Sequence, residues 1–168
     1  MNMYEDLRVE SLAPYHDRAS FSCGVHELDL YIQRQARQDV DRHLATVFVF
    51  SADDIHIDAF YTLSARSVLA EHLPADLATK LPRYQIPATL LGRMAVGEAH
   101  RGRGLGTYVL FHALKRALRT SKEIASWAVV VDAKQGAREF YLKYGFIPFP
   151  SQPDRMFLTM KTIEKWLG

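Results

Sequence analysis

The chain has 168 residues, 48% of them hydrophobic and 24% charged, with a formal net charge of +2. That is the composition of an ordinary globular chain, long enough to bury a core as one domain spanning 1–168. It argues against a disordered, fibrous or disulfide-stapled protein. Cys23 is the only cysteine, so no disulfide can form within the chain and a reducing, cytoplasmic setting is expected. No basic stretch followed by an apolar run opens the sequence, and no apolar run is long enough for a bilayer. Neither a signal peptide nor a membrane span is expected, and no metal is expected. The small positive charge alone says little about nucleic acid.

Leu7–Leu12 alternates as a strand does. Phe21–Gly24 reads as a loop. From Val25 to about His43, Leu28, Ile32, Ala36, Val40 and Leu44 recur at every fourth position, which marks the buried face of one long amphipathic helix. Arg34, Arg37, Gln38 and Asp41 fall on its other face. Thr46–Phe50 and Ile55–Ser64 read as a hairpin about an Asp53-Asp54 turn. Leu73–Pro87 carries three prolines and reads as loop with at most a short helix. Ala88–Val96 is apolar enough for a central strand. A glycine-rich loop follows, then a helix from about Thr107 to Arg119 with Val109, Leu110, Ala113, Leu114, Ala117 and Leu118 as its stripe. Trp127–Val131 reads as a buried strand and Gln135–Tyr144 as a short helix stopped by Gly145. Phe146–Pro148 and Met156–Lys161 read as final strands. Together these predict an α/β layer fold around a mixed sheet.

Arg101-Gly102-Arg103-Gly104-Leu105-Gly106 lies between a predicted strand and a predicted helix. Glycine permits positive φ and close backbone approach to a ligand, and successive amides at a helix N-terminus favour a phosphate. A Walker loop is excluded because no lysine precedes Thr107. A dinucleotide fingerprint is excluded because the spacing is Gly-x-Gly-x-Gly. A plain flexible turn stays open from this pattern alone.

Leu91–Val96 followed by Arg101–Gly106 resembles the signature of GNAT acetyltransferases, with Arg101, Gly104 and Gly106 in the signature places. The block Ala137-Arg138-Glu139-Phe140-Tyr141-Leu142-Lys143-Tyr144-Gly145-Phe146 resembles a second segment of that family. The resemblance covers roughly residues 44 to 160. It implies the GNAT acyltransferase fold: a mostly antiparallel sheet with a splayed central strand pair, flanked by helices. It also implies acetyl-CoA as cosubstrate. Met94, Ala95 and Val96 would then contact the pantetheine, with the Val96 N–H as an oxyanion donor. Arg101, Gly102, Arg103, Gly104, Leu105, Gly106 and Thr107 would hold the pyrophosphate, beside Phe140. Tyr141 would be the general acid toward the leaving thiolate. The spacing of Ala137, Phe140, Tyr141 and Tyr144 by itself favours a core stripe instead. Thiol and tyrosine titrate near ~8.5 and ~10, so full proton transfer is uphill by about 2 kcal/mol. A hydrogen bond to sulfur would already help. Cys23 lies outside these blocks, so direct transfer to the amine is expected.

The stretch Phe21–Ala36 resembles the first helix of the GNAT toxins of toxin–antitoxin pairs. Phe60–Ser64, the strand carrying Arg93, and Pro148–Pro150 with Met156–Leu158 share that resemblance. Gly97-Glu98 departs from the family's commoner aspartate. The resemblance implies acetylation of the α-amino group of aminoacyl-tRNA, inhibition of translation, a ribbon-helix-helix antitoxin as partner, and a homodimer. An α-amine titrates near ~7.7–8 and needs no strong base. His26 and Glu27 open the first helix, where a carboxylate is more often a dipole or capping residue than a catalytic base. Arg34, Arg37, Arg83 and Arg93 are the candidates for tRNA contact, although surface ion pairing accounts for Arg34 and Arg37 equally well. An acetyltransferase for a small amine or a protein N-terminus is the alternative reading. A non-catalytic acetyl-CoA-binding module is the second.

Overall fold

The computed structural model describes residues 4–133 and 136–168. It contains a sheet in the order β1-β2-β3-β4-β5-β7-β6. The strands are β1 (Arg8–Ser11), β2 (Thr46–Ser51), β3 (Ala59–Val68), β4 (Ile86–Val96), β5 (Ala128–Asp132), β6 (Ile147–Phe149) and β7 (Gln152–Thr159). The β1–β2, β2–β3, β5–β7 and β6–β7 pairs are antiparallel. The β4–β5 pair is parallel, from Thr89–Val129 to Leu91–Val131, and β4 runs on past it to Val96. The sheet is therefore mixed and mostly antiparallel, with β4 at its centre as the sequence predicts.

Two compact units are distinguished: residues up to Ser64 with Gly92–Ala113, and Ala65–Leu91 with Leu114–Gly168. Strands β3 and β4 and helix α4 (Leu105–Thr120) each continue from one into the other.

In the first unit, strand alternation sends side chains to two faces. Val47, Val49, Phe60 and Ala95 pack with Phe21 of the preceding loop and with Tyr31, Ile32 and Ala36 of the N-terminal helical segment. Phe50 and Tyr61 take the other face, where Phe50 meets the rings of Tyr108 and His112 on α4, and the Tyr61 hydroxyl lies 2.9 Å from His112 Nδ1.

The N-terminal helical segment is not the uniform helix that the sequence suggests. It consists of α1 (His26–Leu30), a π turn (Tyr31–Gln35) and α2 (Ala36–Asp41). The reason lies in the period. Apolar residues at every fourth position drift off one face of an α-helix, which turns about every 3.6 residues. A wider π turn restores the register, so Ile32 and Ala36 are both fully buried. The segment ends where His43 takes a left-handed backbone (φ 58°). Leu44 therefore leaves the face that its spacing predicts and is exposed.

Strand β3 also departs from expectation. It begins at Ala59 instead of Ile55, because Asp53 Oδ1 accepts the amides of Ile55 (2.9 Å) and His56 (2.7 Å) and holds that stretch as a turn.

In the second unit, Val68, Leu73, Ile86, Ala88, Val130, Phe149 and Phe157 form the core, and β5 is buried on both faces, as a central strand should be. A short helix α3 (Ala75–Ala78) falls in the proline loop. The predicted last strand starts and ends earlier than expected, at Gln152 and Thr159. Met160 and Lys161 start a helix, α6 (Met160–Leu167), because the Thr159 hydroxyl accepts the Thr162 amide (3.2 Å) and caps it.

Helix α5 (Arg138–Lys143) starts later than predicted, and its expected start at Gln135 lies outside the described residues. Its end is as predicted. Gly145 (φ 87°) donates to Leu142 O (3.0 Å) and Phe146 to Tyr141 O (3.1 Å), and the Phe146 ring lies 5.2 Å from that of Tyr141. This is a Schellman ending complete with its apolar contact. A Cβ at Gly145 would meet the Trp166 ring as well as the unfavourable φ. Gly145→Ala should therefore cost about 1–2 kcal/mol, read as a lower denaturation midpoint with an unchanged slope.

Candidate active site

The glycine loop leaves β4 at Val96 and reaches α4 through a short 3₁₀ turn, Glu98–His100. Its stem is tied down from two sides. The Gly97 amide donates to Asp58 O (2.8 Å), and a Cβ there would sit 3.1 Å from that oxygen. A side chain at this departure from the family pattern would push that backbone oxygen by a few tenths of an ångström, so glycine suits the close approach. The Glu98 amide donates to Ser22 O (2.9 Å), and Arg101 Nη2 donates to Cys23 O (2.6 Å). His100 Nε2 lies 3.0 Å from Asp58 Oδ1. The second Asp58 oxygen accepts the Ala52 amide (2.9 Å).

Above this stem the backbone turns with positive φ at Gly102 (76°) and Gly104 (82°). A Cβ on either would project into open space, so both leave room over the turn for a ligand. Gly106 differs from those two. It lies in the first turn of α4 with no positive φ, and its small size leaves the helix end accessible. The amides that open α4 have no acceptor within the helix. A concavity of about 190 Å³ lies here, lined by Val96, His100, Arg101, Gly102, Gly104, Leu105 and Gly106. Amides converging at a helix N-terminus, with cations beside them, form a phosphate cradle. The diphosphate of a coenzyme A thioester fits that chemistry.

The predicted residues contribute in different ways. Val96 lines the concavity, and Met94 shares its strand face by alternation. Ala95 points the other way into the core, so only its backbone is available. Leu105 is fully buried and anchors the start of α4, so it too offers backbone alone. Arg101 is committed to Cys23 O, whereas Arg103 is exposed and its own carbonyl accepts the Tyr4 hydroxyl (2.6 Å). Thr107 lies in the first turn of α4 and is partly buried.

Arg93 is half-buried, with its guanidinium 3.8 Å over the Tyr31 ring. That cation–π contact is the partner a strand arginine needs. The Tyr31 hydroxyl donates to Asp39 (2.9 Å), and burial with that carboxylate pushes the tyrosine well above its usual range. The Arg93 amide donates to Thr62 Oγ1 (3.0 Å), a side-chain partner where a strand ladder would supply a carbonyl. Arg34 is exposed, and Arg37 pairs with Asp41 at 3.5 Å.

In the second unit, Tyr141 is buried between the rings of Phe140 and Phe146. Burial alone pushes its hydroxyl up to about 12, so it is protonated at neutral pH and suited to donate. Arg83 is exposed at the rim of a separate concavity lined also by Leu69, Glu71, Thr79 and Leu81.

Sequence reasoning missed His100 and Asp58, which sit 42 residues apart in the chain. Only the loop's histidine was visible as a signal. Cys23 is buried, and burial with Asp29 nearby pushes its thiol up to about 11. It should resist iodoacetamide at pH 8 in the native protein and react on unfolding, as followed by intact-mass measurement. Leu105→Ala should destabilise the fold by about 2–5 kcal/mol in urea titration.

The acetyltransferase (GNAT) family profile matches residues 78–146. A protein of Sinorhizobium fredii described as probable toxin TacT is 30% identical over 95% of this chain and 94% of its own length. A tRNA-acetylating toxin of Mycobacterium tuberculosis is 31% identical over 90% and 91%. Among solved structures, a tyrosine-to-phenylalanine mutant of KacT superposes with a TM-score of 0.90 at 25% identity, covering 96% of this chain and 99% of that one. AtaT complexed with acetyl-methionyl-tRNA shares the fold at TM-score 0.88 and 24% identity, with 96% and 99% covered. The chain thus has relatives of known family along nearly its whole length, and it belongs to the GNAT acetyltransferase family.

Proposed function

We propose that this protein is an acetyl-CoA-dependent N-acetyltransferase toxin that acetylates the α-amino group of aminoacyl-tRNA and so inhibits translation. The observation that carries this reading is the 30–31% identity to a TacT toxin and a tRNA-acetylating toxin over nine-tenths or more of every chain compared. The glycine cradle supplies the physical support on the cosubstrate side. We read 1–168 as one such domain, acting in the cytoplasm. Its partners are aminoacyl-tRNA, an antitoxin of ribbon-helix-helix type, and a second copy of itself as a homodimer. Antitoxin complexes are known for AtaT, which shares the fold.

Acetyl-CoA supplies the acetyl group as an activated thioester. The chain's own residues divide the remaining work. The amides from Gly102 to Thr107 and the dipole of α4 hold the diphosphate. The end of β4, Met94–Val96, orients the pantetheine through backbone and the Met94 and Val96 side chains, and the Val96 N–H faces the acetyl oxygen as charge develops there. The Tyr141 hydroxyl donates to sulfur as the C–S bond breaks, with Phe140 beside it. With that hydroxyl pushed up to about 12, full proton transfer even to a free thiolate of ordinary pKa ~8.5 would be uphill by roughly 5 kcal/mol. Tyr141 therefore acts as a hydrogen-bond donor to the departing sulfur and keeps its proton, while the proton that the amine releases on acylation balances the thiolate. The acceptor needs little help, because a fair fraction of an α-amine is neutral at cell pH. Cys23, with its raised thiol, takes no part.

Arg34, Arg37 and Arg93 of the first unit and Arg83 of the second meet the nucleic acid. Arg37 can exchange Asp41 for a phosphate cheaply, since an exposed pair is worth about 0–1 kcal/mol.

Incubation with labelled acetyl-CoA and charged total tRNA should place label on aminoacyl-tRNA, and prior deacylation of the tRNA should abolish it. Absence of label, with active charged tRNA present, would overturn the acceptor. Tyr141→Phe should lower kcat by about 10²-fold or more with little effect on KM, and should relieve growth arrest on induction while the melting curve stays near wild type.

A further inference from the structure

Residue His100 lines the same concavity as the glycine turn, yet the family signature does not include it. Its position is fixed by several contacts. Its amide donates to Gly97 O (2.9 Å) and its carbonyl accepts the Arg103 amide (3.3 Å). Its Nε2 is held by Asp58 Oδ1, and Asp58 is held in turn through Ala52, Gly97 and Phe50. That leaves Nδ1 without a partner among the described residues. The cation that the signature does supply, Arg101, spends one nitrogen on Cys23 O. Arg103 does not line the concavity.

We propose that His100, oriented by Asp58, is a cosubstrate-binding residue that donates from Nδ1 to a diphosphate oxygen of acetyl-CoA as the imidazolium. With Nε2–H directed at the carboxylate, neutral His100 has only a lone pair at Nδ1, which repels a phosphate oxygen. Protonation turns that atom into a charged donor. Diphosphate binding and proton uptake are thus linked. The charged groups near the ring are Asp58 from the β2–β3 loop and, on its own loop, Glu98, Arg101 and Arg103. The two arginines oppose a further positive charge, and the incoming diphosphate offsets them. The inference rests on the acetyl-CoA reading above and extends it to a residue and a proton.

The test is titration calorimetry of the full chain with CoA at pH 8, in buffers of different ionisation enthalpy. At this pH an ordinary imidazole is mostly neutral. Wild type should take up a fraction of a proton on binding. His100→Gln keeps a nitrogen at the Nε2 position for Asp58 and removes Nδ1. It should weaken CoA binding about tenfold and abolish the uptake. Dephospho-CoA, which keeps the diphosphate but lacks the 3′-phosphate, should show the same loss. With S-acetylpantetheine, which has no diphosphate, kcat/KM should be the same for wild type and variant. Wild-type CoA affinity in His100→Gln, or an equal loss on S-acetylpantetheine, would overturn the proposal. A penalty confined to CoA and absent with dephospho-CoA would also overturn it, by moving the contact to the 3′-phosphate. Failure of the wild type to bind CoA at all would overturn the acetyl-CoA reading instead.

Discussion

The cradle depends on Asp58. Its amide donates to Phe50 O, its carbonyl receives Gly97, and its two carboxylate oxygens receive Ala52 and His100. One residue in the β2–β3 connection therefore fixes the stem of a loop some forty positions later. A glycine turn with positive φ at two residues has high conformational entropy, and a turn that must be ordered by its ligand gives up affinity to do so. Here the ordering is done in advance from below, by Asp58 on one side and the Ser22 and Cys23 carbonyls on the other. The turn itself, where a ligand would lie, stays open.

The same economy holds in the second unit. The aromatic-then-Gly-Phe pattern of the family block has a direct physical meaning. Gly145 ends α5 in the left-handed conformation, Phe146 doubles back onto Tyr141, and the tyrosine ring is clamped by the motif that terminates its helix. Burial that makes Tyr141 look like core also raises its pKa and keeps it a donor. Core packing and a hydroxyl that stays protonated, which the spacing alone does not connect, come from the same burial.

Much of this was legible in the sequence where local chemistry and tertiary context agree. Strand β4, the glycine turn and the stripe of α4 follow from apolar runs and glycine placement. What was not legible came from interactions between distant positions or from side-chain turns. Asp53 delays β3 by capturing two amides. Thr159 caps a helix at the end of a run that continues to look like strand. Leu44 obeys the period and is still exposed, because His43 ends the segment first. Arg93 was recognised as needing a partner, but nothing in its neighbourhood named Tyr31. His100 is visible as a residue, but its meaning depends on Asp58, which no spacing rule connects to it.

The π turn at Tyr31–Gln35 sets how that first helical segment is phased. An extra residue in one turn rotates everything beyond it about the helix axis by roughly 100° relative to an unbroken helix. Tyr31, which carries Arg93, and Arg37, which is half-buried and pairs with Asp41, lie on either side of that offset. Among relatives, a single-residue gain or loss in this turn would therefore re-aim the basic face against the arginine stack without changing one contact-making side chain. Length in this short stretch, more than the identity of its arginines, sets where those side chains point.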